Sequence, residues 1–132
     1  MINYEMEGME LNMDKTKGVV EAEISKVLTH WEKNYLGRGS VSVKADILRD
    51  MVVVVLKGVL TPAEYAVCQE KEGLLSVKKM RNSLVESGVE EIKEALSTIT
   101  GIEVVSFYTD LSTISGERIM VFKLSEDLQT KL

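Results

Sequence analysis

The chain has 132 residues, 45% of them hydrophobic and 28% charged, which suits one folded domain with a real core. Its formal net charge of −5 argues against a nucleic-acid-binding domain and against a polybasic grip on anionic lipid. One cysteine and one histidine exclude an intramolecular disulfide and a usual Cys/His zinc site.

Residues 1–13 carry four methionines and three glutamates without a clear period and read as a flexible N-terminal arm. They lack the basic and apolar regions of a secretory signal. From residue 14 to residue 132 the chain reads as one α+β domain. Val20, Ile24, Val27, Leu28, Trp31 and Tyr35 form one apolar stripe with helical periodicity. Asp14 is the expected N-cap, and Gly37 the expected stop. "SVSVKADIL" then alternates, with Val41, Val43, Ala45 and Ile47 on one face, as a half-buried strand does. Arg49-Asp50 makes a tight connection to "MVVVVLKG", a strand apolar on both faces. That run is far too short to cross a bilayer, so no direct membrane insertion and a cytoplasmic location are expected.

Thr61-Pro62-Ala63-Glu64 is a helix start. Threonine fits the N-cap, proline the first helical position, and Glu64 completes a capping box. This helix is expected to end near Gly73. A second apolar series, Val77, Met80, Leu84, Gly88, Ile92, Ala95, Leu96 and Ile99, runs up to Gly101. If residues 74–100 form one helix, it is about 40 Å long and overhangs its sheet, unless it bends at Gly88. "IEVVSFYTDL" and "ERIMVFKL" form a second hairpin around "STISG", and "SEDLQTKL" reads as a short polar tail.

The predicted order is α-β-β-α-α-β-β, with a four-stranded, mainly antiparallel sheet of two hairpins. The two-faced strands belong in the middle, giving strand order 1-2-4-3 with helices on one face. Something must cover the other face, and a second copy of the chain is the expected partner.

No residue pattern nominates a catalytic constellation, so the chain reads as a non-enzyme without a cofactor or metal. His30 and Cys68 fit structural positions on helices, and no motif supplies either with a catalytic partner. Asp46, Asp50, Glu64 and Asp110 lie near strand ends at spacings that suit turns and caps better than metal binding. Gly37-Arg38-Gly39-Ser40 is the best candidate for a small anion. Its glycines let N–H groups approach, and Arg38 is able to grip an oxyanion. It follows a helix and precedes a strand, the reverse of a P-loop or dinucleotide loop. Lys44, Lys78, Lys79 and Arg81 are candidates to extend a basic spot there.

The run "GRGSVSVKADILRDMVVVVLKGVLTPAE", then "VKKMR", then "SFYTDLSTISGERIMVFKL", resembles a bacterial family of small domains. That family carries the name MpsC, for a sodium-translocating, membrane-potential-generating system. The resemblance covers Lys17 to Leu124. It marks Thr61, Glu64, Arg81, Tyr108 and Asp110 as motif residues without an assigned role. The family often has proline where this chain has Ser40, and histidine where it has Tyr108. A switch built on that histidine would be missing here. The resemblance implies a soluble accessory or regulatory protein of membrane ion or bicarbonate transport, with a membrane transport protein as partner. The alternative is an anion-sensing module using Gly37–Ser40.

Overall fold

The computed structural model describes residues 15–132, so the expected arm and the expected Asp14 cap lie outside the described residues. Helix α1 (Lys17–Trp31) is capped instead by Thr16, whose hydroxyl accepts from the N–H of Val19. Val20, Ile24, Leu28 and Trp31 of the predicted stripe are buried. The helix then widens into a π-helical turn, Glu32–Leu36, which ends where Gly37 takes φ +80°. No sequence signal announced the wider turn. It leaves Trp31 and Tyr35 stacked at 5.5 Å and turns the Glu32 side chain into the interior.

Strands β1 (Ser42–Leu48) and β2 (Met51–Lys57) form the first hairpin. Helix α2 (Pro62–Val67) starts on the predicted capping box, with both reciprocal hydrogen bonds made between Thr61 and Glu64. It ends at Val67, short of the expected Gly73. The backbone turns through Cys68–Glu70, and α3 (Lys71–Ser87) begins before the predicted second helix. Helix α4 (Val89–Thr100) follows a break at Gly88, so the long continuous helix does not form. Glycine is needed at this break: the Tyr35 ring lies so close that a Cβ there would stand 2.6 Å from it. With the break, the expected overhang disappears. Strands β3 (Val104–Leu111) and β4 (Arg118–Leu124) form the second hairpin.

The four strands make one antiparallel sheet in the predicted order β1-β2-β4-β3. One face carries Ala45, Ile47, Val52, Val54, Leu56, Met120, Phe122 and Leu124, all buried under helices. Fully burying each of these side chains other than Ala45 contributes roughly 1.5–3 kcal/mol relative to leaving it exposed. Helix α1 also closes one sheet edge. Ser25 Oγ accepts from the N–H of Ala45, and Glu21 Oε2 from that of Ile47, so β1 offers less free backbone to an added strand.

Two further expectations change. Met80 and Leu84 are exposed, and α3 turns Val77, Arg81 and Val85 inward instead, the true i, i+4, i+8 face. The C-terminal tail is docked. Leu128 is buried, and the N–H groups of Leu128 and Gln129 donate to the carbonyl of Arg49 at the β1–β2 turn.

Candidate functional site

The Gly37–Ser40 turn runs from the π-turn to β1, and its polar groups are engaged within the protein. Arg38 Nη1 donates to the carbonyl of Val59 at 2.6 Å, and Nη2 to that of Gly58 at 3.4 Å. Ser40 donates its N–H to Glu32 Oε1 at 3.0 Å and its hydroxyl to Oε2 at 2.6 Å. Gly37 supplies the left-handed residue that ends the helix, and Gly39 packs on the Lys33 stem. Among the described residues, Arg38 has no carboxylate in salt-bridge range.

Behind this turn lies a cavity of about 10 Å³, close to the room one water needs. Glu32, Arg38, Ser40, Arg81 and Arg118 form its polar wall. Arg81, from the inward face of α3, is held by Glu64 in a fork: Nε to Oε2 at 2.7 Å and Nη2 to Oε1 at 2.6 Å. The Arg81 hydrogen bonds, helped by the Thr61 N–H, hold the Glu64 carboxyl down at about 2. Two motif residues of the sequence thus meet as one ion pair, and the capping threonine completes it.

Arg118 carries the chemistry that sequence reasoning missed. It opens β4 on the covered face, between the register partners Leu56 and Leu111, and is only 2% exposed. Nη1 donates to Asn82 Oδ1 at 2.8 Å and to Thr109 Oγ1 at 2.9 Å. Nη2 is buried without a protein acceptor. Burial lowers the Arg118 pKa to about 10, with the Arg81 charge adding to the effect, so the group stays cationic at neutral pH. The signal was parity: Arg118 shares its strand face with Met120, Phe122 and Leu124, where an apolar residue is the rule.

The remaining candidates stand apart from this cavity. Tyr108 projects from β3 on the opposite sheet face, whereas the Asp110 carboxylate turns to Lys78 and Asn82 on α3 and is the leading favourable charge on Arg118. Asp110 reaches Lys78 at 3.3 Å, and the N–H of Leu111, first, then Lys78, lower its pKa. Asp50 pairs with Lys123 across the sheet, and that hydrogen bond lowers its pKa. Lys44, Asp46 and Lys79 are exposed. His30 is exposed and shares a hydrogen bond with Asn34 at 2.6 Å. Cys68 is a half-buried free thiol. Among the described residues, no cluster of His, Cys, Asp or Glu is able to hold a metal, and no helix is long and apolar enough to cross a membrane.

The sheet face opposite the helices is the second feature of functional interest. Met51, Val53 and Val55 of β2 and Ile119 and Val121 of β4 run side by side across its centre, in register and half-buried or exposed. Leu48, 43% exposed, and Tyr108, 61% exposed, extend the patch to both edges. Lys44 and Asp46 on β1 and Lys123 on β4 border it.

No solved structure matches this chain. The chain is 63% identical over 120 residues to the uncharacterized protein YbcI of Bacillus subtilis (strain 168), an alignment covering 91% of this chain and 97% of that relative. The family model described as Na+-translocating membrane potential-generating system (MpsC) matches residues 16–126, which takes in the whole sheet, the capping box, the Glu64–Arg81 pair and Arg118. The chain therefore belongs to the MpsC family.

Proposed function

We propose that this protein is a cytoplasmic, non-enzymatic accessory or regulatory subunit of a membrane ion or bicarbonate transport system, and that it works as a homodimer joined through its open sheet face. The observation that carries this reading is the apolar centre of that face, Met51, Val53, Val55, Ile119 and Val121, on strands whose other side already builds the core. Contiguous apolar surface rimmed by charge marks an association site. The rim carries both signs, with Lys44 and Asp46 exposed on the same face of β1, so a two-fold axis is able to oppose unlike charges. The family description supports the link to membrane potential.

The face also sets the strength of the contact. Four strands about 4.8 Å apart and seven residues long at about 3.3 Å each give a patch roughly 20 by 23 Å. That is below the roughly 800 Å² per partner of a standard interface, so the dimer is weak and concentration-dependent. Sedimentation equilibrium across micromolar concentrations tests this. The wild type is expected to shift from 14.7 kDa towards twice that mass, and Val53→Lys to remain at 14.7 kDa throughout. A wild type that stays monomeric at hundreds of micromolar would remove the dimer from the reading.

A further inference from the structure

The open sheet face carries Val53, Val55, Ile119 and Val121 across its centre, and none of the described helices covers it. Where the chain enters the fold bears on what reaches this face. Glu21 Oε2 accepts from the N–H of Ile47, and Ser25 Oγ from that of Ala45, so α1 runs along the β1 edge with its start beside the end of that strand. Residues 1–14 therefore join the fold at the corner where Leu48, 43% exposed, extends the apolar patch. Their length is sufficient. Fourteen residues reach about 46 Å when extended at about 3.3 Å each, roughly twice the span of the patch.

Their sequence matches the face in pattern and in charge. "INYEM" puts an apolar side chain at every second position, and "MELNM" does so again after Gly8. An extended segment of this kind turns apolar side chains to one side and polar ones to the other. Gly8 shifts the phase between the two stretches, so no single period runs through both. Glu5, Glu7, Glu10 and Asp14 are the charged side chains of the segment. The border of the face and its near corner offer Lys44, Arg49 and Lys123 against Asp46 and Asp50, so an acidic segment is attracted there.

We propose that residues 1–14 lie over the open sheet face of their own chain, apolar side chains inward, and compete there with a second copy. This rests on the reading of that face as the dimer surface and adds its regulation. A tethered segment acts at an effective concentration of about a millimolar, above that of a second chain at micromolar concentration, so modest affinity is enough to occupy the face. The segment keeps the dimer weak, and whatever withdraws it strengthens association.

The test uses the full chain with methyl labelling and a nitroxide on Asn3→Cys, in a Cys68→Ser background so that one thiol is tagged. At a concentration where sedimentation shows monomer, the methyl signals of Val53 and Val121 are expected to broaden. Broadening at Leu75 and Leu84 on the helical side instead, or at no methyl of the sheet face, overturns the proposal. So does equal broadening when the tag and the methyl label are on separate chains. A full-length Tyr4→Ser, Met6→Ser, Leu11→Ser variant is expected to dimerise at about ten-fold lower concentration than the wild type. Equal dimerisation of the two overturns the competition. If both remain monomeric at hundreds of micromolar while Val53 and Val121 still broaden, the segment covers the face and it is the dimer that fails.

Discussion

Glu64 and Arg81 form the best-defined polar contact of the molecule, a two-bond fork between side chains that are only about one-sixth exposed. The fork geometry is specific to arginine, so Arg81→Lys is expected to cost about 1–2 kcal/mol in urea unfolding although the charge is kept. Its pH dependence has a definite sign. The Glu64 pKa in the folded protein, about 2, lies below its ordinary value of 4.5. Its contribution is therefore fully present above about pH 4.5 and is lost as the pH falls from there towards 2. The stability gap between the wild type and Glu64→Gln is expected to narrow between pH 6 and pH 3, and a gap that stays constant would contradict the assignment. Arg118 behaves differently, because its charge is buried on neutral hydrogen-bond partners, Asn82 and Thr109, with Asp110, Glu32 and Glu86 as the favourable charges around it. Removing the side chain leaves Asn82 Oδ1 and Thr109 Oγ1 without their donor, so Arg118→Met is expected to destabilise by about 1–3 kcal/mol in urea unfolding. An unchanged unfolding free energy would show that these contacts do not hold the fold. The contrast between the two arginines explains what the sequence exposes. Thr61, Pro62 and Glu64 lie within four residues, and a capping box is a local pattern. Arg118 finds Asn82 across 36 positions and Thr109 across nine, and at the head of "RIMVFKL" it passes for the polar first residue of a strand.

At the scale of elements, the two hairpins and their order follow from the two-faced character of β2 and β4. Periodicity served the helices less well. The stripe that continues at three to four residues through Gly88 allows one long helix or a bend at Gly88, and the chain takes the second; the Tyr35 ring, from a π-turn that no spacing reveals, packs where a Cβ of residue 88 would stand. Gly88→Ala is therefore expected to destabilise by about 1–3 kcal/mol despite the higher helix propensity of alanine. Tyr35→Leu combined with Gly88→Ala is expected to recover part of that loss in a double-mutant cycle. Additive losses would show that the ring does not set the break. The same contact connects α1 to the α3–α4 corner, reinforced by the Tyr35 hydroxyl against Ser87 Oγ at 2.8 Å. Exposure of Met80 and Leu84 follows from the inward turn of Val77, Arg81 and Val85, which places Arg81 against Glu64 and the cavity.

At the scale of the whole molecule, helices occupy one side of a four-stranded sheet and leave an apolar centre on the other. One argument for a second copy, the overhanging helix, is gone with the break at Gly88. The other, two central strands with an uncovered apolar side, has its residues in register on β2 and β4. A weak dimer through this face leaves the helical side, with exposed Leu75, Met80 and Leu84 on α3, available to a larger assembly. Membership in the MpsC family directs attention to a membrane system, and none of the described helices is long and apolar enough to cross a membrane. The most direct measurement is a tagged pull-down from detergent-solubilised host membranes, quantified by mass spectrometry against an untagged control. The account predicts an ion-translocating membrane subunit recovered in stoichiometric amount. Recovery of this protein alone, at levels where its own dimer is captured, would contradict the accessory role.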